Sequence, residues 1–268
     1  MNKTIAYITR QLEALYPHGE AREIAFWMAE ETTGMSRTEI ICKDTLNIPN
    51  IEIILQRLLN HEPVQYIFGS TTWNGLKLKV NRHTLIPRPE TAELVKWIIG
   101  DNKFRKGLKV LDIGTGSGCI ALALKLNCPS FKLTGLDISK DALQVARYNA
   151  EKYKCEIDFR QCDILNNELK DNFDIIVSNP PYITTNEKKD MEANVLNYEP
   201  PMALFVPNAD PLLFYRRIAM LRLSPLLYFE INPLFEQSLR SMLLDMGYNE
   251  VETKNDIFQK PRMLRARL

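Results

Sequence analysis

The sequence has few of the side chains from which metal sites and disulfide frameworks are built. Its 268 residues include five cysteines and three histidines, and no two cysteines form a Cys-x-x-Cys pair. Because the cysteines are odd in number and irregularly spaced, we expect reduced thiols in the cytoplasm, without disulfides or a zinc site. The histidines, His18, His61 and His83, lie far apart and support neither a Ser-His-Asp arrangement nor a metal cluster.

An excess of charge and a long apolar run are also missing. Lys and Arg total 34 against 33 Asp and Glu, so the net charge of +1 gives no general attraction to nucleic acid. No apolar run reaches the ~18 residues that a membrane helix requires, and residues 1–10 are too polar for a signal peptide. With 45% hydrophobic and 25% charged residues, the chain is typical of a globular protein, and its length favours a main domain plus a smaller one.

Residues 1–63 are predicted to form a small helical domain. Apolar residues recur at helical spacing between Ile5 and Leu15, and Ser36 with Glu39 has the pattern of a capping box. Another amphipathic segment follows Pro49.

Residues 64–89 are interpreted as a β-hairpin linker between two domains. Val64, Tyr66 and Phe68 alternate with other residues, and Asn74-Gly75 separates two strand-like runs, which is a strong hairpin signal.

Residues 90–268 alternate between strands and helices, which predicts an α/β domain with a mostly parallel sheet and helices on both faces. Strands are expected at 109–113, 132–137, near 156–160, at 174–178 and near 225–231, with two short strands at the end. Helices are expected near 90–100, 118–127, 140–152, 210–221 and 233–246.

A glycine-rich loop follows the first of these strands. It consists of Gly114, Thr115, Gly116, Ser117 and Gly118. In a doubly wound sheet such a loop lies at the ligand-binding edge, where glycines let the backbone approach a ligand closely. The third glycine comes one residue too early for a dinucleotide fingerprint, and the chain contains no phosphate-loop motif. The spacing resembles motif I of S-adenosylmethionine-dependent methyltransferases; a tight strand-to-helix turn without a ligand is the alternative.

Two later strand ends offer further contacts for a cofactor. Asp137 ends the next strand, about 20 residues after the glycines, where an acid can accept hydrogen bonds from both ribose hydroxyls. Asp163 and Ile164 follow a third strand and could flank an adenine, although a strand-end aspartate is equally typical of a helix cap.

The turn Asn179-Pro180-Pro181-Tyr182 follows the strand at 174–178 and is expected beside the same pocket. A planar amide nitrogen is a poor nucleophile because its lone pair is delocalised into the carbonyl. The side-chain oxygen of Asn179 and the backbone oxygen of Pro180 could accept the two hydrogens of such an NH₂ group, and the prolines restrict the backbone. Tyr182 could pack against the planar group. This pattern predicts methyl transfer by positioning rather than by a strong base, unless the segment is an ordinary polar turn.

These motifs resemble the PrmC/HemK family of protein-(glutamine-N5) methyltransferases over nearly the whole chain. The resemblance is carried by EPVQYIFG at 62–69, LIPRPET at 85–91, LDIGTGSG at 111–118, NPPY at 179–182 and YEP at 198–200. NPPY is shared with DNA adenine and rRNA guanine methyltransferases, whereas the IPRPET and YEP segments are much more specific to this family.

The resemblance implies a Rossmann-like class I methyltransferase domain behind a helical domain that helps to recognise the substrate. It implies S-adenosyl-L-methionine as methyl donor, with S-adenosyl-L-homocysteine as product. The acceptor would be the glutamine in the Gly-Gly-Gln motif of class I peptide chain release factors, with no direct contact to nucleic acid or membrane. The residues at 114–118, Asp137, Ile164 and Asn179 match the family's cofactor positions, and the turn at 179–182 matches its substrate-glutamine positions.

Three departures and two alternative functions remain open. Asn232 and Pro211 stand where the family usually has glycine, and the segment 256–262 lacks an expected glycine; we expect them to affect loops and partner affinity more than the reaction. A nucleic-acid base N-methyltransferase could use the same turn on an exocyclic amine, but it would need cations that bind the phosphate backbone. A binding protein on an inactive methyltransferase fold is disfavoured by the intact glycine loop, Asp137 and Asn179.

Overall fold

The computed structural model describes residues 2–268 and divides them into two compact units. The helical unit comprises residues 2–69 together with Glu192–Tyr198. The larger unit comprises Ser70–Met191 and Glu199–Leu268. No helix within residues 2–268 combines the length and the apolar character needed to cross a membrane.

The elements alternate along most of the chain. The helices are α1 (Lys3–Leu12), α2 (His18–Thr33), α3 (Arg37–Ile41), α4 (Ile51–Leu59), α5 (Val64–Phe68), α6 (Pro89–Asn102), α7 (Cys119–Asn127), α8 (Lys140–Lys152), α9 (Ala193–Tyr198), α10 (Leu213–Leu221) and α11 (Glu236–Asp245). The strands are β1 (Ser70–Trp73), β2 (Leu76–Lys79), β3 (Lys109–Ile113), β4 (Lys132–Asp137), β5 (Asp158–Gln161), β6 (Ile175–Ser178), β7 (Ile183–Thr184), β8 (Phe205–Val206), β9 (Leu226–Glu230), β10 (Glu250–Asn255) and β11 (Pro261–Arg267). Short 3₁₀ helices lie at Thr185–Asp190, Pro201–Ala203 and Pro233–Phe235.

The helical unit forms where the sequence predicts helices. Helices α1 and α3 begin at capping residues, and the buried apolar side chains of α1 lie on one face. The side chain of Asn2 accepts hydrogen bonds from the first turn of α1. The predicted capping box of Ser36 and Glu39 starts α3 and is confirmed. Buried apolar side chains from α1, α2 and α4 then form one core.

The predicted strand character of residues 64–68 is wrong, because this segment forms α5. Pro63 precedes the helix and Gly69, at φ 67, ends it. Val64, Ile67 and Phe68 have the i, i+3, i+4 spacing of a helical face, and they pack against the core of the helical unit. An alternating pattern over only five residues fits a strand or a helix, so packing against the helical unit determines which one forms.

The hairpin itself is confirmed, although it is shorter than the predicted linker. Strands β1 and β2 pair antiparallel across Asn74-Gly75. Both turn residues have positive φ, 48 and 77, as a type I′ turn requires. The predicted linker 64–89 is thereby divided, because 64–69 belong to the helical unit and 70–89 to the larger one.

The larger unit is built on a mixed sheet, which confirms the predicted α/β class. In residues 2–268 this sheet has seven strands in the order β10-β11-β9-β6-β3-β4-β5. Strands β9, β6, β3, β4 and β5 run parallel, and β10 and β11 are antiparallel at one edge. Buried residues of α6 and α7 pack with one set of strand side chains, and those of α10 and α11 pack with the alternate set. Both faces are therefore covered, as expected for parallel strands.

The strand order places a crevice beside β3. Its neighbours are β4, which follows it in the chain, and β6, which is reached by a longer path. Such a reversal of direction is a topological switch point, and ligands bind at the carboxyl ends of the strands there. The glycine loop leaves β3 at this point, and the Asn179 turn leaves β6 beside it.

Candidate active site

A cavity of about 240 Å³ lies at this edge of the sheet. Its lining includes four of the five residues of the glycine loop, Asp137, the segment 162–165 and the first three residues of the NPPY turn. Residues from the segments 83–91 and 200–203 also line it. The structure thus brings the predicted cofactor and acceptor motifs to one cavity.

The backbone shapes the glycine-loop side of the cavity. Gly114, Gly116 and Gly118 all have positive φ, at 72, 53 and 78. The amides of Gly114 and Thr115 donate to the Leu136 carbonyl at 2.9 and 2.8 Å, which ties the loop to the end of β4. The loop is therefore fixed by main-chain bonds and left-handed turns that glycine adopts without strain.

Asp137 holds the glycine loop and also lines the cavity. Its Oδ2 accepts from the amide of Gly116 at 2.9 Å, and its Oδ1 accepts from the amide of Ser139 at 2.9 Å. Burial raises the pKa of Asp137, while these amides act in the opposite direction. Each carboxylate oxygen keeps acceptor capacity beyond its one backbone bond.

Asp112 is a buried carboxylate behind the loop, and sequence reasoning assigned it no role. Its Oδ2 accepts from the Thr115 hydroxyl at 2.6 Å and from the amide of Ala121 at 3.3 Å. Among buried side-chain oxygens of residues 2–268, only Oδ1 of Asp112 and Oγ of Ser117 have no hydrogen-bond partner. Burial raises the pKa of Asp112 to about 7. Ser117 also lines the cavity, and its hydroxyl is buried beside the loop.

Asp163 and Ile164 lie in the cavity lining, with different surroundings. The carboxylate of Asp163 accepts from the amide of Leu165 at 2.9 Å and from the side chain of Asn166 at 2.7 Å, as a turn cap does. Ile164 is buried and apolar. Ile164 therefore offers a surface for a flat ring, whereas Asp163 is already engaged by its own turn.

The turn at 179–182, which is the predicted acceptor turn, lies beside the glycine loop. Asn179, Pro180 and Pro181 line the cavity. A Cβ placed on Gly114 would lie 4.0 Å from the backbone oxygen of Asn179. Ser178, just before the turn, donates to the Ile113 carbonyl at 2.7 Å and joins the two strand ends.

A buried hydrogen-bond network stands behind the acceptor turn. Nδ2 of Asn179 donates to Thr91 Oγ1 at 3.3 Å, and Thr91 Oγ1 donates to Glu230 Oε2 at 2.6 Å. The Tyr182 hydroxyl donates to Glu230 Oε1 at 3.0 Å, and Tyr215 donates to the Glu230 carbonyl at 3.0 Å. Tyr182 therefore points into the protein rather than lining the described cavity, and its predicted packing against an acceptor stays a prediction.

A second buried carboxylate fixes the rim of the cavity. Glu199 accepts from Arg88 Nη2 at 2.5 Å and from the amide of Ile86 at 3.2 Å. Trp73 Nε1 donates to the Arg88 carbonyl at 2.7 Å. The IPRPET and YEP segments, which are distant in sequence, are thus joined at one side of the site.

Asn232 replaces the usual family glycine without strain. Its φ of −78 lies in the range open to any residue. Its Nδ2 donates to the Tyr182 carbonyl at 3.1 Å and to Glu187 Oε1 at 3.0 Å, and its Oδ1 accepts from the amide of Leu234 at 3.0 Å. In the C-terminal departure, Gln259 takes the left-handed φ of 62 that usually favours glycine.

Sequence models of two protein families match this chain. The PrmC N-terminal domain matches residues 3–69, and the Methyltransferase small domain matches residues 95–198. The release factor glutamine methyltransferase of Bacteroides thetaiotaomicron is 42% identical over 99% of this chain and 99% of its own length. The protein of the same name from Flavobacterium psychrophilum is 40% identical over 95% of this chain and 94% of its own length.

Two solved structures share the fold at low sequence identity. The hMettl16 catalytic domain, in complex with MAT2A 3'UTR hairpin 6, has a TM-score of 0.59 and 15% identity over 72% of this chain and 76% of that chain. The E. cuniculi Mtq2–Trm112 complex, described as responsible for methylation of the eRF1 translation termination factor, gives a TM-score of 0.51 and 16% identity. That match covers 69% of this chain and 98% of the other. These likenesses confirm the class I methyltransferase fold.

Proposed function

Because this chain belongs to the release factor glutamine methyltransferase family, we propose that it methylates the glutamine of the Gly-Gly-Gln motif in class I peptide chain release factors. The methyl group comes from S-adenosyl-L-methionine and goes to the side-chain amide nitrogen. The modification acts on translation termination, so the reaction belongs in the cytoplasm. The observation that carries the proposal is that the glycine loop and the Asn179 turn line the same cavity.

The residues on the loop side fit a nucleoside-type methyl donor. Glycines without a Cβ leave the loop open to a ligand, and Asp137 presents a carboxylate with spare acceptor capacity for ribose hydroxyls. Ile164 gives an apolar surface for the base. S-adenosyl-L-methionine, when bound, supplies an electrophilic methyl group on a sulfonium.

The residues on the turn side orient the acceptor amide. Asn179 Oδ1 and the Pro180 carbonyl oxygen accept the two hydrogens of the glutamine NH₂ group, so the nitrogen is held at a fixed place. Two acceptors also favour electron density on the nitrogen as it loses planarity. Because Pro180 and Pro181 restrict the backbone, these oxygens need little reorganisation during the reaction.

No strong base is required beside the acceptor. The amide proton lies against the two carbonyl oxygens until transfer is complete, and the methylated amide then releases it to water. Asn179 and Pro180 contribute position and electrostatic stabilisation, which are the main sources of catalysis in such a reaction.

The helical unit is proposed to help recognise the release factor. It corresponds to the segment 3–69 matched by the PrmC N-terminal domain, and it includes the EPVQYIFG segment at its end. No direct role for nucleic acid or membrane is proposed, because the acceptor is a protein side chain.

An assay with purified acceptors tests this function. Labelled methyl from S-adenosyl-L-methionine should appear in a bacterial release factor and should be lost when the Gly-Gly-Gln glutamine is replaced by alanine. Parallel reactions with tRNA, rRNA and DNA provide the comparison. Labelling of a nucleic acid in place of the release factor would favour a base N-methyltransferase and overturn the proposal.

A further inference from the structure

We propose that Thr91 and Glu230 are positioning residues for methyl transfer, which orient the Asn179 carboxamide so that its oxygen faces the acceptor. This inference rests on the proposed function, since it gives a purpose to the Asn179 oxygen. The two residues are almost fully buried, with 2% and 1% of their surfaces exposed. Water therefore cannot easily replace either of them in the network.

The direction of each hydrogen bond follows from the carboxylate. An ionised carboxylate only accepts, so the Thr91 hydroxyl must give its single hydrogen to Glu230 at 2.6 Å. Thr91 Oγ1 then has only lone pairs to offer to Asn179, whose Nδ2 lies 3.3 Å away. The Asn179 amino group is thereby engaged on the protein side, which leaves Oδ1 for the acceptor.

The opposite orientation of Asn179 is unfavourable on both sides. Its Oδ1 would face the lone pairs of Thr91, and its NH₂ would face the NH₂ of the substrate glutamine. A carboxamide is almost symmetric in shape, so packing alone does not select one orientation. The relay from Glu230 through Thr91 supplies the missing selection by hydrogen-bond direction.

The same carboxylate fixes the far end of the turn. Tyr182 donates to Glu230 Oε1 at 3.0 Å, and burial raises the pKa of this hydroxyl, so it remains a donor. Asn232 holds the Tyr182 carbonyl at 3.1 Å. Both ends of the segment 179–182 are thus tied to Glu230, directly or through Thr91.

The relay requires the ionised form of Glu230. Burial raises its pKa, while the hydroxyls of Thr91 and Tyr182 and the guanidinium of Arg262 lower it. The other titratable groups that face it are Glu90, Cys119 and Tyr215. A protonated Glu230 could donate to Thr91 and reverse the relay, so turnover should fall as the pH drops through this pKa.

Substitutions at Thr91 give the most direct test. Thr91→Val removes the hydroxyl at nearly constant volume and leaves the Asn179 amino group without its acceptor, so kcat should fall on the order of 10- to 100-fold. Thr91→Ser keeps the hydroxyl and should have a kcat close to that of the parent. Binding of S-adenosyl-L-homocysteine, measured by calorimetry, should stay unchanged in both. Thr134→Val, at a buried threonine of β4 outside the cavity lining, is the matched control and should leave kcat unchanged.

Glu230→Gln tests the direction of the relay. Its neutral amide can turn a donor toward Thr91, so kcat should fall and the acidic limb of the parent's kcat–pH profile should disappear. Far-ultraviolet circular dichroism and the midpoint of thermal unfolding show whether this variant is folded. If it is unfolded, the Thr91 pair decides alone.

The outcomes separate this inference from the function on which it rests. If the parent enzyme does not label the release-factor glutamine, the proposed function fails. If the parent labels it and Thr91→Val matches Thr91→Ser in kcat, only the positioning role fails. A Thr91→Val defect confined to S-adenosyl-L-homocysteine binding would also overturn the positioning role.

Discussion

The glycine loop and the acceptor turn form two halves of one cavity, and a buried carboxylate stands behind each. Asp112 supports the loop through the Thr115 hydroxyl, and Glu230 supports the turn through Thr91 and Tyr182. Asp112 has one oxygen without a partner, whereas hydroxyl groups donate to both oxygens of Glu230. One oxygen of Asp112 therefore lacks the hydrogen-bond donor that each oxygen of Glu230 has.

The two halves of the cavity also differ in what holds them in place. The loop half is fixed chiefly by main-chain bonds, such as those from Gly114 and Thr115 to Leu136. The turn half is fixed by side chains that come from α6 and the end of β9. We therefore expect substitutions in the loop half to change cofactor affinity and substitutions in the turn half to change turnover.

The largest effect is expected at Asn179. In the proposed mechanism Asn179→Ala removes one of the two oxygens that accept the hydrogens of the reacting amide, so kcat should fall about 10³-fold, as when an oxyanion-hole group is lost. The dissociation constant of S-adenosyl-L-homocysteine, measured by calorimetry, should change by less than about twofold. Asn127→Ala, at an exposed residue at the end of α7, is the control. A matching loss of cofactor affinity would abolish the separation between the halves.

A smaller effect, on cofactor affinity and not on turnover, is expected at Asp137. Asp137→Ala removes hydrogen bonds to a charged group, and the KM for S-adenosyl-L-methionine should rise about 10- to 100-fold. At saturating cofactor, kcat should stay within a few-fold of the parent. Asp141→Ala, which removes a more exposed carboxylate on the neighbouring helix α8, is the matched control. Collapse of kcat with an unchanged KM would place Asp137 in the acceptor half instead.

The smallest expected effect is a change in how stability depends on pH. Burial raises the pKa of Asp112 to about 7, above the value of about 4 for an unfolded aspartate. Between these values the folded state binds more protons than the unfolded state, so the free energy of unfolding falls as the pH rises through this window. Asp112→Asn should weaken that fall.

Urea unfolding of the ligand-free protein across this window measures the difference. Glu230 also has a raised pKa, so the Asp112→Asn variant should keep part of this dependence of unfolding free energy on pH. Equal slopes for the parent and Asp112→Asn would show that Asp112 adds nothing to the pH dependence of stability and would contradict the prediction.

Much of the fold could be predicted because parallel strands are buried on both faces. All residues of β6 and β9 are buried, and such strands appear in the sequence as continuous apolar runs. The two-residue strands β7 and β8 were not predicted, since so short a pairing has no periodic pattern. The five-residue α5 was misassigned because its helical state depends on packing.

The candidate site was only partly predictable for a different reason. The glycine loop and the Asn179 turn are contiguous motifs, but Thr91 and Glu230 contact each other across 139 residues. A local pattern cannot reveal such a pair. One signal was present, because the immediate neighbours of Asp112 and Glu230 in the chain are apolar and buried, and an unpaired charge is costly there.

The path of the chain determines how proteolysis or truncation divides the two units. After its first 69 residues the chain leaves the helical unit, returns to it at Glu192–Tyr198 and leaves again. The Tyr198 hydroxyl donates to the Asn60 carbonyl at 2.8 Å on this second visit. A single protease cut after Gly69 would therefore leave α9 on the fragment that carries the larger unit. A truncated chain beginning at residue 70 would carry α9 without the other helices of its unit.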